Sequence, residues 1–145
     1  MLNKTHIAIG VFFMLFFLPR VAHVWTYVFV FLMAILLPNA DRFVSFKGVG
    51  IIGATRARKR GFFHSFTFCF IITFLLAWFF PITAFPFFLA YGTHLIADSW
   101  TVEGIKPFWP LRYVSKGSVK TGGAFENILF YCFVVADFVM LWFVF

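Results

Sequence analysis

The last apolar stretch of the chain, from Ala124 to Phe145, reads AFENILFYCFVVADFVMLWFVF. Its length matches the roughly 20 residues that an α-helix needs to cross the hydrocarbon core of a bilayer. Four further apolar stretches precede it in the sequence, at 7–18, 21–37, 62–80 and 82–97. The pattern predicts an all-α fold, a polytopic membrane helical bundle of about five spanning helices that forms one domain over residues 1–145. The first stretch is short for a crossing and is expected to tilt or to form a hairpin with the second.

The composition also indicates a bilayer. Of the 145 residues, 63% are hydrophobic and only 12% are charged, whereas soluble domains average about 45–50% and about 25%. A soluble fold of this size would expose apolar patches far larger than monomers tolerate. The composition therefore excludes an ordinary cytosolic domain, a disordered chain and a disulfide-built secreted module. Cys69 and Cys132 lie inside apolar runs, which favours packing over a disulfide.

The positive charges predict the orientation of the helices. Twelve Lys and Arg against five Asp and Glu give a net charge of +7. With five spans and a cytoplasmic N-terminus, eleven of these cations fall in cytoplasmic segments and only Arg20 falls outside. This distribution follows the positive-inside rule and predicts an N-in, C-out topology. The excess charge is thereby explained without a nucleic-acid partner.

The remaining polar side chains collect at the predicted cytoplasmic ends of the helices. The ligand candidates are His6, Asp41, His64, His94 and Asp98. His94 and Asp98 are four residues apart, so they share one helical face. Three imidazoles with carboxylates suit Zn²⁺ or another first-row divalent ion. Polar residues at helix ends are also typical of caps and interfacial groups, so the residues alone leave both interpretations open.

Several short motifs resemble those of the YdjM family. The matching segments are Thr5-His6, LPNAD at 37–41, RGFFHS at 60–65, GTHLIAD at 92–98, DSWT at 98–101, KPFWP at 106–110 and TGG at 121–123 before Glu126. That family comprises inner-membrane proteins described as metal-dependent hydrolases, sometimes as LexA-binding. It is distantly similar to the zinc-dependent phospholipase C group, whose ligands include a His-x-x-x-Asp pair on a helix.

The resemblance implies a prokaryotic inner-membrane protein whose site faces the cytoplasm. It implies that His6, Asp41, His64, His94 and Asp98 hold a divalent metal, with Zn²⁺ as the first choice. Asn39 stands where the family usually has Asp, which removes one negative charge from the expected site. Asn39 can still coordinate through its carbonyl oxygen, but it cannot act as a base.

The expected function is that of a membrane-bound metal-dependent hydrolase acting on a phosphoester, such as a lipid or lipid-linked phosphate. Glu126 is the expected proton acceptor, and Arg60 or Lys106 is expected to stabilise charge on the phosphoryl oxygens. Trp100 and Thr101 are further candidates for the pocket. The alternative is a non-catalytic membrane scaffold that has a structural metal site or binds a cytoplasmic protein partner. A transporter, supported by Asp137 alone, is a third hypothesis.

Overall fold

Five helices make up most of the described part of the chain. The computed structural model describes residues 1–38 and 62–144. The helices are α1 (Asn3–Phe17), α2 (Val24–Leu36), α3 (Phe66–Phe79), α4 (Pro81–Ser99) and α5 (Ala124–Val144). Short 3₁₀ turns follow α1 at Leu18–Arg20 and precede α3 at Phe62–His64. The all-α prediction is confirmed for the described residues, and each helix lies within a few residues of its predicted apolar stretch.

Capping and proline chemistry set the two ends of α3. Ser65 is the N-cap residue, and its hydroxyl accepts a hydrogen bond of 3.2 Å from the amide of Phe68. The helix ends at Phe79 because the residue before a proline avoids the helical region, and Phe80 has φ −141° and ψ 66°. Pro81 then begins α4, where its missing N–H requires no partner within the helix.

Successive helices run in opposite directions, as the contacts between them show. Helices α1 and α5 are parallel, and so are α2 and α4, because in each pair the contacting residues follow the same order along both helices. The pairs are Thr5 with Glu126, Phe12 with Phe133, Ile35 with His94, and Tyr27 with Phe85. Helix α4 is antiparallel to α1 and to α3. The pairs are His6 with His94, Phe17 with Phe85, Phe68 with Tyr91, and Phe70 with Phe88.

Helix α4 is the centre of the bundle. It packs against α1, α2 and α3, while α5 packs against α1. The buried core includes Phe31, Ala90, Tyr91 and Leu95, and the free thiol of Cys69 lies in it. Cys132 is also free, but it is exposed, so the predicted packing is wrong for this residue. Many large apolar side chains instead point outwards, which is the arrangement that a lipid surrounding favours.

Helix α5 is the one described helix that is both long and apolar enough to cross a membrane. Its 21 residues extend roughly 30 Å, which is the thickness of the hydrocarbon core. Helices α2 and α3 are apolar but shorter, with 13 and 14 residues. The structure thus supports one candidate span, and the five-span arrangement stays a prediction.

Candidate metal centre

One end of the bundle collects five polar side chains, because the alternating helix directions bring four chain segments together there. His6 lies near the start of α1, and His64 lies in the 3₁₀ turn before α3. His94 and Asp98 lie in the last turns of α4, and Glu126 lies in the first turn of α5. All five side chains are buried. The sequence had predicted that these residues share one end, and the described structure brings them there.

Asp98 is the centre of the group. Its Oδ1 lies 3.2 Å from Nε2 of His6, and its Oδ2 lies 3.7 Å from Nε2 of His94. Nε2 of His64 is 3.9 Å from the same Oδ2. One ligand atom each from His6, His94 and Asp98 lies within 4.8 Å of the other two. This spacing allows a single ion to be bound by all three after small shifts of the side chains.

Main-chain carbonyls fix the direction of two imidazoles. Nδ1 of His94 donates to the carbonyl oxygen of Ile35 at 2.9 Å, and Nδ1 of His6 donates to that of Leu2 at 3.0 Å. A carbonyl can only accept, so in a neutral ring Nε2 carries the lone pair. Hydrogen bonds of this kind orient the histidine ligands of metal ions in other proteins.

The two Nε2 atoms have the character of metal ligands. Nε2 of His6 and Nε2 of His94 are buried, and neither has a hydrogen-bond partner within the described residues. They approach Asp98, but the approach lacks hydrogen-bond geometry. The two rings stack, with centroids 3.9 Å apart, an arrangement that two charged imidazolium rings would oppose. Buried polar atoms normally have partners, and a divalent cation between these nitrogens and the carboxylate would supply one. The residues present therefore fit a metal.

Asp98 also contacts the amino group of Met1 and the turn that follows α4. The amino group of Met1 lies 2.7 Å from its Oδ1. The hydroxyl of Thr101 donates to the carbonyl oxygen of Asp98 at 2.7 Å and accepts from the amide of Gly104 at 3.3 Å. Thr101 thus supports the main chain of Asp98. The indole of Trp100 is half exposed.

Glu126 ties α5 to the beginning of α1. Its Oε1 accepts from the amide of Leu2 at 2.6 Å and from the hydroxyl of Thr5 at 2.9 Å. Its Oε2 accepts from the amide of Gly122 at 2.7 Å. Sequence reasoning missed this role for Thr5, although its position next to His6 was a signal. These contacts make Glu126 a positioning group for α1, and its use as a proton acceptor stays a prediction.

The described structure does not test every predicted site residue. Asp41, Asn39 and Arg60 fall outside the described residues. Lys106 is half-buried in the segment between α4 and α5. His23 is exposed at the opposite end of the bundle.

Asp137 is a third buried carboxylate, remote from Asp98 and Glu126. It lies within α5, in the half of the helix away from Glu126. Its Oδ1 has no hydrogen-bond partner in the part of the chain that the structure describes.

Fold and site together define a class: an all-helical protein with a candidate membrane span and a buried His/Asp group that can hold a metal ion. More particularly, the chain belongs to the YdjM inner membrane protein family, whose model matches residues 1–144. No curated protein and no solved structure matches the chain. Membership confirms the resemblance seen in the sequence and the inner-membrane part of the expected location.

Proposed function

We propose that this protein is a metal-dependent hydrolase of the inner membrane that acts on a phosphoester at the cytoplasmic face. One observation carries the proposal. Two buried imidazole nitrogens without hydrogen-bond partners converge on one buried carboxylate, that of Asp98. Each of the two rings is fixed from behind by a main-chain carbonyl, which is how proteins orient ligands for a divalent ion.

Four described residues form the proposed ligand set: His6, His64, His94 and Asp98. Three nitrogen donors and one oxygen donor suit Zn²⁺ best among the common divalent ions. Asp41 is proposed as a further ligand on the basis of the sequence, with Asn39 beside it. The distant similarity to zinc-dependent phospholipase C suggests a phosphoester substrate, but a likeness of fold alone does not assign one.

The residues of the chain have separable tasks in this proposal. A bound divalent ion would supply Lewis acidity for the attack of water on phosphorus. The carbonyls of Leu2 and Ile35 keep the two imidazoles directed at the ion, and burial keeps bulk water away from the ligands. Arg60 and Lys106 are proposed to stabilise charge on the phosphoryl oxygens. Glu126 holds α1 in place, and we retain it as the candidate proton acceptor.

The cytoplasmic orientation is proposed from the distribution of charge. At the site's end of the bundle, the beginning of α1 and the segment between α4 and α5 carry cations: Lys4, Lys106, Arg112, Lys116 and Lys120. At the opposite end, Arg20 is the one Lys or Arg among the described residues. Lys and Arg are enriched on the cytoplasmic side of membrane proteins, so the site's end is assigned to the cytoplasm.

Metal content and turnover test the proposal together. The purified wild type should bind close to one equivalent of Zn²⁺, measured by elemental analysis after dialysis, and should hydrolyse at least one member of a panel of phosphomonoesters, phosphodiesters and phospholipids. His94→Ala should lose both properties. His23→Ala, at the exposed opposite end, is the matched control and should keep both. A wild type without metal, or equal losses in the two variants, would refute the assignment of the site.

A structural metal site in a non-catalytic scaffold is the second candidate. The burial of the ligand set favours it, because structural zinc sites are closed whereas catalytic sites keep one position open. His6, His94 and Asp98 are only 3%, 0% and 2% exposed. Full metal occupancy with no turnover across the panel, and a lower melting temperature after chelation, would support the scaffold over the hydrolase.

A further inference from the structure

The segment 100–123, which joins α4 to α5, has a defined conformation despite its lack of helix. Two isolated backbone bridges hold it together, Thr101 with Val119 and Ile105 with Ser115. A Cβ atom at Gly117 would lie 2.1 Å from the carbonyl oxygen of Trp100, so the segment closes tightly enough to require glycine there. The nine residues beyond Ile105, at 106–114, form what we call the tip.

The tip exposes large apolar side chains. Phe108, Trp109, Leu111 and Tyr113 are each between 41% and 63% exposed. Exposed clusters of this kind on a fixed scaffold mark an interaction surface. Trp and Tyr are enriched where a membrane meets water, because one part of each ring system is apolar and another is polar.

The segment 100–123 that carries the tip is also rich in cations. The segment contains Lys106, Arg112, Lys116 and Lys120 against one acidic residue, Glu103. Arg112, Lys116 and Lys120 are exposed. An anionic leaflet offers negatively charged headgroups and an apolar layer beneath them. Positive charge beside exposed aromatic rings complements such a surface.

The position of the segment fits the same surface. It ends at Gly123, and α5, the candidate span, begins at the next residue. The tip therefore belongs to the end of the bundle where α5 enters the membrane. The opposite end also exposes aromatic rings, those of Trp25, Trp78 and Trp142, but it lacks a comparable group of cations among the described residues.

We propose that the tip lies in the headgroup layer of the cytoplasmic leaflet and binds anionic phospholipids there. The three exposed cations, Arg112, Lys116 and Lys120, select the anionic lipid, and the exposed aromatic and aliphatic side chains enter the layer beneath the headgroups. The proposal rests on the orientation given above and not on hydrolysis. A scaffold with this orientation would bind lipid in the same way.

Quenching of Trp fluorescence tests the proposal in the full chain. One variant keeps Trp109 and replaces the other four Trp with Phe, and the matched control keeps only Trp142, at the opposite end. Both are reconstituted in nanodiscs of equal parts phosphatidylcholine and phosphatidylglycerol. One lipid at a time is brominated on the acyl carbons nearest the headgroup. We expect brominated phosphatidylglycerol to quench Trp109 more strongly than brominated phosphatidylcholine does, whereas Trp142 should respond equally to both.

The contribution of charge is tested in the same background. Each Lys or Arg near the surface favours anionic lipid by up to about fivefold, so replacing Arg112, Lys116 and Lys120 with Gln should remove the preference. An unchanged melting temperature in detergent would show that these variants fold. Strong quenching of Trp109 by aqueous iodide with none by either lipid would overturn the proposal and favour docking of an acidic cytoplasmic protein. Equal quenching by the two lipids, or the same preference at Trp142, would also overturn selection of anionic lipid by the tip.

Discussion

Replacing Glu126 with Gln should weaken the hydrogen bonds that hold α1 at the candidate metal centre, without a change in side-chain size. The carboxylate accepts hydrogen bonds from Leu2, Thr5 and Gly122. The carbonyl of Leu2 in turn accepts the Nδ1 hydrogen of His6. Glu126 is fully buried, so water cannot replace the lost contacts. Loss of the carboxylate therefore weakens the hold on Leu2, and through the carbonyl of Leu2 it disturbs the imidazole of His6.

The magnitude follows from these three bonds. A hydrogen bond to a charged group contributes about 1.5–3 kcal/mol and a neutral one about 0.5–1.5 kcal/mol. Gln offers a single acceptor oxygen, so Glu126→Gln loses at least one bond and reduces the others to neutral bonds. We expect the free energy of unfolding to fall by about 4 kcal/mol in total. Because His6 loses its support, we expect metal affinity to fall by about 10- to 100-fold, as when other outer-shell partners are removed.

Competition with a zinc chelator measures the affinity, and thermal melting in detergent measures the stability. Glu103→Gln is the matched control, because it makes the same chemical change in the segment 100–123, outside α1 and α5. Thr5→Val, which removes only one of the three donors, should have an intermediate effect on both quantities. The reasoning is refuted if Glu126→Gln binds Zn²⁺ as tightly as the wild type does.

Three further substitutions test other parts of the structure by thermal melting. Gly117→Ala places a methyl group against the carbonyl of Trp100 and should lower the melting temperature. Gly92→Ala is its control and should leave the melting temperature unchanged, because the added Cβ has no neighbour within 4 Å. Ser65→Ala removes the cap of α3 and should cost about 1 kcal/mol; an unchanged melting temperature would contradict this assignment. Asp137→Leu replaces a buried carboxylate that has an unpaired oxygen and should stabilise the protein by about 1–3 kcal/mol, so a loss of folding would indicate an essential partner.

The sequence predicted the helices and the polar end of the bundle because those properties depend on local pattern. Long apolar stretches specify helices, and the spacing of His94 and Asp98 specifies a shared face. These predictions needed no knowledge of contacts between distant residues.

Contacts between distant residues explain what the sequence did not predict. Helix α1 begins at Asn3, ahead of the predicted apolar stretch at Ile7, because Glu126 satisfies polar groups at its beginning from far along the chain. The carbonyl of Ile35 that orients His94 carries no signal in the sequence, since every residue has a carbonyl. The bridges of the segment 100–123 likewise depend on main-chain pairing.

The separation of the site residues along the chain has a consequence for how the protein is made. His6 emerges from the ribosome among the first residues, but Glu126, which holds its helix in place, is translated only when the last helix begins. A nascent chain that has been translated through α4 therefore carries His6, His94 and Asp98 without the contact that aligns them. Under the proposed function, tight binding of the metal ion would be a late event in biogenesis, and the metal content of a membrane fraction would report how much of the protein has finished assembly.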